Sequence, residues 1–97
     1  MKISKTVWID EHVKWHPLKK RTLVKKHRYQ GNAYFVCTSP QAHWLFEIVE
    51  ARWLSDYYHQ ETVVAICSTR AVAFERVRQL IDGLYNTKTL SYEKLIE

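Results

Sequence analysis

Glycine, proline and cysteine are scarce in this sequence, with two residues of each among 97. So little glycine and proline excludes collagen-like and low-complexity chains. Gly31 and Gly83 lie far apart in the sequence, so the chain has no glycine-rich loop to hold a phosphate. This absence excludes nucleotide binding of the P-loop or Rossmann type.

Long apolar runs are also absent. No stretch of about 18 apolar residues occurs, so we expect no membrane-spanning helix. The first residues, MKISKTVWIDEH, lack the apolar core and cleavage site of a secretory signal, which predicts a cytoplasmic protein. In that reducing compartment Cys37 and Cys67 are expected to be buried free thiols rather than a disulfide.

The residues that are present suit one globular domain over residues 1–97. Apolar residues make up 46% of the chain and aromatic residues 13%, in a length that supports one hydrophobic core. No internal repeat or linker composition divides the chain.

Positive charge is concentrated in residues 14–28, which we call the basic segment. It contains no Asp or Glu and seven of the 15 Lys and Arg residues: Lys14, Lys19, Lys20, Arg21, Lys25, Lys26 and Arg28. The rest of the chain has eight basic and ten acidic residues, so the formal charge of +5 comes from this segment alone. Such a local excess attracts polyanions.

Three stretches rich in β-branched and aromatic residues predict strands at 3–8, 33–38 and 62–67. The last of them, TVVAIC, is apolar almost throughout, as expected of a central strand buried on both faces. A further strand is predicted at 21–29.

The segment Gln30-Gly31-Asn32 predicts a hairpin between residues 21–29 and 33–38, because Gly-Asn suits a two-residue loop. With that loop, Tyr29 would face Tyr34 across the hairpin. The ring pair would then lie on one sheet face with some of the cations, near the N-terminus.

Two helices and a short third one are predicted. Ser39 and Pro40 are typical of a helix start, and an apolar stripe continues the pattern to about Tyr58: Ala42, Leu45, Phe46, Val49 and Trp53. A strand from Phe46 to Trp53, paired with residues 62–67, is the alternative. Ser68 and Thr69 precede a helix over 70–85, and Ser91 precedes a terminal helix to Leu95.

The order of these elements predicts an α+β fold. We expect an antiparallel or mixed sheet of about four strands, with two helices packed on one face and the ββ-hairpin near the N-terminus. The opposite face would meet water or a partner.

Groups with catalytic or metal-binding chemistry are few, and no enzymatic activity, cofactor or metal site is expected. His12 and His16 have helical metal-ligand spacing, but Pro17 argues against a helix there. The run from Asp56 to His59 places its side chains on one short loop, where they rarely converge. Cys37 and His43 lack an orienting third group.

The basic segment carries the main functional hypothesis, a small non-enzymatic protein that binds DNA or RNA. Cations would hold phosphates, and Tyr29 and Tyr34 would stack on unpaired bases. The expected binding residues are Lys19, Lys20, Arg21, Lys25, Lys26, His27, Arg28, Tyr29 and Tyr34.

The main alternative is a protein-binding adaptor or inhibitor that docks on an acidic or nucleic-acid-binding surface of a partner. Trp15, beside Lys14 and His16, would be its docking residue. A solvated basic strand that only prevents edge-to-edge aggregation also fits the charge pattern. Burial of Tyr29 and Tyr34 under a second copy of the chain would instead indicate a homo-oligomer, and no membrane contact is expected.

Overall fold

A computed structural model describes residues 1–41 and 43–97. Ala42, assigned above to an apolar helix stripe, lies outside the described residues. The fold is α+β, as predicted, with a mixed four-stranded sheet: β1 (Lys2–Ile9), β2 (Tyr34–Thr38), β3 (Phe46–Glu50) and β4 (Thr62–Cys67). The helices are α1 (Pro17–Lys26), α2 (Arg70–Tyr85) and α3 (Tyr92–Leu95), and two 3₁₀ turns occupy Ala51–Trp53 and Asp56–Tyr58.

β4 lies inside the sheet, whose strand order is β1-β4-β2-β3. It pairs in parallel with β1 and antiparallel with β2, and all six of its residues are buried. The apolar run at 62–67 therefore predicted a central strand correctly. Because β2 is antiparallel to both of its neighbours, β1, β3 and β4 all end at the edge of the sheet where β2 begins.

The strand predicted at 21–29 is wrong, because α1 occupies Pro17–Lys26. Pro17 takes the first helical position, where a missing N–H costs nothing, and the His16 ring accepts a hydrogen bond from the Leu18 N–H at 3.1 Å. His27 ends the helix in the left-handed conformation, with φ of 55°. Lys, Arg and Leu are good helix formers, and the basic last turn complements the helix dipole.

The helix predicted from Pro40 to Tyr58 is also wrong, since β3 occupies part of it. β3 forms a hairpin with β2, with Tyr34 opposite Glu50, and it does not pair with β4. Ser39 caps no helix; its hydroxyl accepts from the Gln41 N–H at 3.0 Å and donates to the Glu47 carboxylate.

The sheet separates two hydrophobic clusters. α1 buries Leu23 completely in the cluster on one face, together with Phe35 and Cys37. α2 and α3 bury side chains in the other cluster, which includes Cys67 and Leu80. Both cysteines are free. Within residues 1–41 and 43–97, no helix combines the length and apolar character needed to cross a bilayer.

A buried carboxylate joins the ends of β1 and β4. Asp10 accepts hydrogen bonds from the backbone N–H groups of His12, at 3.1 Å, and Ser68, at 2.9 Å, and from the Ser68 hydroxyl. These bonds lower the pKa of Asp10, the Ser68 hydroxyl contributing most. The next residue, Thr69, caps α2 by accepting from the Val72 N–H at 3.2 Å.

Candidate functional site

The basic segment comprises α1 and the residues just before and after it. Residues two positions from Leu23 in either direction lie about 160° around the helix axis from it, so Arg21 and Lys25 point away from the core. Around the helix axis, Lys19 and Lys26 lie to one side of Leu23 and Lys20 lies to the other side. The cations therefore surround the exposed side of a helix and do not alternate between two strand faces.

None of the seven cations forms an ion pair within the described residues. The ion pairs of this part of the chain join Glu11 with His12, Glu50 with Arg52, and Glu75 with Arg78. Arg28 donates instead to the backbone carbonyls of His27 and Leu54, at 3.1 and 3.2 Å. The positive charge of the basic segment is therefore not neutralised by carboxylates of the described chain.

Tyr29 is a core residue and does not form the exposed stacking surface that the hairpin would have given it. It is 8% exposed, lies parallel to Trp15 with ring centroids 6.4 Å apart, and contacts the edge of Phe35. The Lys19 ammonium lies 5.0 Å from its ring centroid. Tyr34 packs against the cluster on the opposite face of the sheet, so the two tyrosines do not pair.

His27 and Trp15 also differ from their expected roles. His27 is half-buried at the end of α1, and partial burial is the main cause that lowers its pKa. It is therefore mainly neutral at pH 7 and adds no charge for phosphates. Trp15 is half-buried against Tyr29, so it is not the exposed anchor that docking on an acidic protein would use.

Three neighbouring cavities that share lining residues lie along the edge of the sheet where β1, β3 and β4 end; we call them together the strand-end groove. The first cavity, of about 280 Å³, is bordered by Lys14 and Lys19. It shares Gly31 and Asn32 with a second cavity of about 170 Å³. The second shares Tyr34 and Glu50 with a third, of about 220 Å³, lined by Trp53 and Arg70.

The far end of the groove combines arginine with an exposed tryptophan. Trp53 is 66% exposed, and the Arg52 guanidinium carbon lies 5.3 Å from its ring centroid. Arg52 Nε also contacts Glu50 Oε1 at 3.2 Å. Arg70, in the first turn of α2, lies 5.4 Å from the ring of Phe74, which is 55% exposed. Arginine beside an exposed ring is suited to planar, anionic ligands.

Sequence reasoning missed Arg52, Trp53 and Arg70 as members of a site. It placed Trp53 on the apolar stripe of a helix that does not form. The strand alternative, Phe46 to Trp53, included both Arg52 and Trp53 in the strand, whereas β3 ends at Glu50 and leaves them in the turn at the edge of the sheet. The position of Arg70 beside them depends on the pairing of β2 with β4, which local sequence does not reveal.

The side chains considered for catalysis or metal binding do not form a site together, and some of them have structural roles. Burial raises the pKa of the Cys37 thiol to about 12, so it is protonated at neutral pH. The His16 ring caps α1. In the described part of the chain, His, Cys, Asp and Glu side chains form no group of three that could hold a metal ion.

Comparisons with known proteins do not assign this chain to a family. Neither the models of protein families, nor the curated proteins, nor the solved structures contain a match to this chain.

Proposed function

We propose that this protein is a non-enzymatic nucleic-acid-binding protein whose main phosphate contacts come from α1. The observation that supports this proposal is the set of seven basic residues, on α1 and its flanks, without a carboxylate partner in the described chain. Ammonium and guanidinium groups at this density, with no carboxylate partner among the described residues, replace the cations condensed on a polyanion, and the release of those cations favours binding.

The shape of α1 fits this role. Its ten residues span about 15 Å, a length over which a nucleic-acid backbone presents several phosphates. Arg21 and Lys25 lie one turn apart on the side away from Leu23, and the neighbouring cations extend the charge to both flanks. Since these contacts reach phosphates and not base edges, binding is expected to depend little on sequence.

Salt dependence tests the proposal directly. About five phosphate contacts predict that log K falls with log salt concentration with a slope near −4, measured by fluorescence anisotropy of a labelled DNA duplex. Replacing Arg21, Lys25 and Lys26 together with Ala removes three of these contacts. That variant should bind more weakly and lose about 2 to 3 units of the slope.

A charge-matched variant separates α1 from overall charge. Replacing Arg78, Lys88 and Lys94 with Ala also removes one Arg and two Lys, all exposed, from α2, α3 and the turn between them, on the face of the sheet opposite α1. This control should keep most of the affinity and the slope. A wild-type slope shallower than −1, or equal weakening by the two triple variants, would refute the proposal.

A further inference from the structure

The strand-end groove differs from α1 because its lining combines basic side chains with an exposed tryptophan. We infer that it holds a short stretch of single-stranded nucleic acid, with an unpaired base stacked on Trp53 and the backbone following the basic side chains. The inference rests on the proposed function and adds the class of nucleic acid and the residues that select it.

The charge of the groove suits a nucleic-acid backbone, with basic side chains at both ends that form no ion pair in the described chain. Its lining includes four basic side chains, Lys14, Lys19, Arg52 and Arg70, and one carboxylate, Glu50. Glu50 is held by Arg52, so it offsets one charge and leaves a net excess of three. Lys19 belongs both to α1 and to the first cavity, which makes the groove continuous with the basic surface of the helix.

The groove also provides what a phosphate-binding surface alone lacks, an exposed aromatic face. The Trp53 indole is 66% exposed and lines the third cavity beside Arg70, so a nucleobase that enters this cavity can stack on it. The Arg52 guanidinium carbon lies over one face of the ring, so a base would stack on the other face. Arg70, which lines the same cavity, would contact the phosphate next to that base.

The same geometry selects single strands over duplexes. Inside a duplex both faces of each base are covered by neighbouring bases, so Trp53 cannot stack on them. A duplex can still contact α1 through its phosphates. The protein should therefore bind both forms through α1 but gain additional affinity from the groove only with unpaired bases.

Gly31 lines both the first and the second cavity. Its φ of 120° is a conformation that residues with a side chain rarely adopt. A Cβ at this position would lie 3.5 Å from Lys19 Nζ and 3.6 Å from Tyr29 Cε1, so the missing side chain leaves the surface beside these residues uncovered.

The test compares a labelled oligo(dT) of about 15 nucleotides with a duplex of the same length at one salt concentration. Wild-type protein should bind oligo(dT) more tightly than the duplex. Trp53→Ala should weaken oligo(dT) binding about tenfold and change duplex binding less than twofold, whereas Trp53→Phe should retain most of the affinity. Arg70→Ala is a second variant in the same groove and should weaken oligo(dT) binding severalfold.

Trp44→Ala is the matched control, because Trp44 is 64% exposed but does not line the groove. It should leave both affinities unchanged. If oligo(dT) and duplex bind equally, or if Trp53→Ala and Trp44→Ala behave alike while the α1 triple variant still weakens binding, the groove proposal is wrong and the proposed function stands. If neither probe shows salt-dependent binding, the proposed function itself fails.

Discussion

Replacement of Asp10 should be among the most destabilising single changes at a polar residue. Its carboxylate, only 5% exposed, accepts three hydrogen bonds, two of them from Ser68. In Asp10→Ala these donors lose a charged acceptor, and the half-buried Ser68 N–H is left without a partner. We expect a loss of about 3 kcal/mol in the free energy of unfolding. Ser68→Ala removes a single bond and should cost about 1 kcal/mol.

Urea unfolding at pH 7, followed by far-UV circular dichroism, measures both losses. Glu11→Ala is the control, because this neighbouring carboxylate is exposed and lies 3.6 Å from the exposed His12 ring; the change should alter stability by less than about 0.5 kcal/mol. A cost below about 1 kcal/mol for Asp10→Ala, or equal costs for Asp10→Ala and Ser68→Ala, would refute the assignment of this carboxylate as the link between β1 and β4.

The Asp10 carboxylate also predicts how the free energy of unfolding changes with pH. The pKa of Asp10 is lower in the folded protein than in the unfolded chain, with the Ser68 hydroxyl as the first cause. Its stabilisation is therefore complete above the ordinary Asp pKa of about 4 and is lost as pH falls through the lower folded value. The difference in unfolding free energy between wild type and Asp10→Ala should narrow below pH ~4, and a constant difference would contradict this account.

Two backbone positions give further predictions. A Cβ on Gly83 would lie 2.6 Å from Leu90 Cδ1, so Gly83→Ala alone should destabilise the protein by about 1 kcal/mol. In a Leu90→Ala background the Gly83→Ala change should instead stabilise the protein by about 1 kcal/mol, because alanine has the higher helix propensity. Thermal unfolding of wild type, the two single variants and the double variant measures this coupling, and additive effects would contradict it. Lys88 is exposed with φ of 54°, so Lys88→Gly should raise Tm by about 2 to 4 °C relative to Lys88→Ala, and equal Tm values would exclude strain there.

The elements that local sequence predicted correctly each carry a strong pattern of their own. Residues 62–67 are an apolar β-branched run, and residues 70–85 combine a capping threonine with apolar residues at helical spacing. α1 has no such pattern, because Leu23 is its only fully buried residue and one position defines no period. The basic side chains around it fit a helix and an exposed strand equally well.

β3 and the strand-end groove depend on contacts between distant residues. The segment EIVEARW fits a helix and a strand, and its pairing with β2 decides between them. The groove brings Lys14 and Lys19 close to the turn after β3 and to the start of α2 only because the strands have the order β1-β4-β2-β3. The charge that the basic segment brings to the groove was therefore predictable from sequence, whereas the contributions of Arg52, Trp53 and Arg70 were not.

Because the two cysteines lie on opposite faces of the sheet, the opening of each helical layer can be measured separately. Cys37 and Cys67 are both fully buried, one in the cluster beneath α1 and the other in the cluster beneath α2. A thiol reagent can reach either sulfur only when the layer above it opens. Alkylation rates of the two residues, resolved by mass spectrometry, would thus report whether the two helical layers detach together or one before the other.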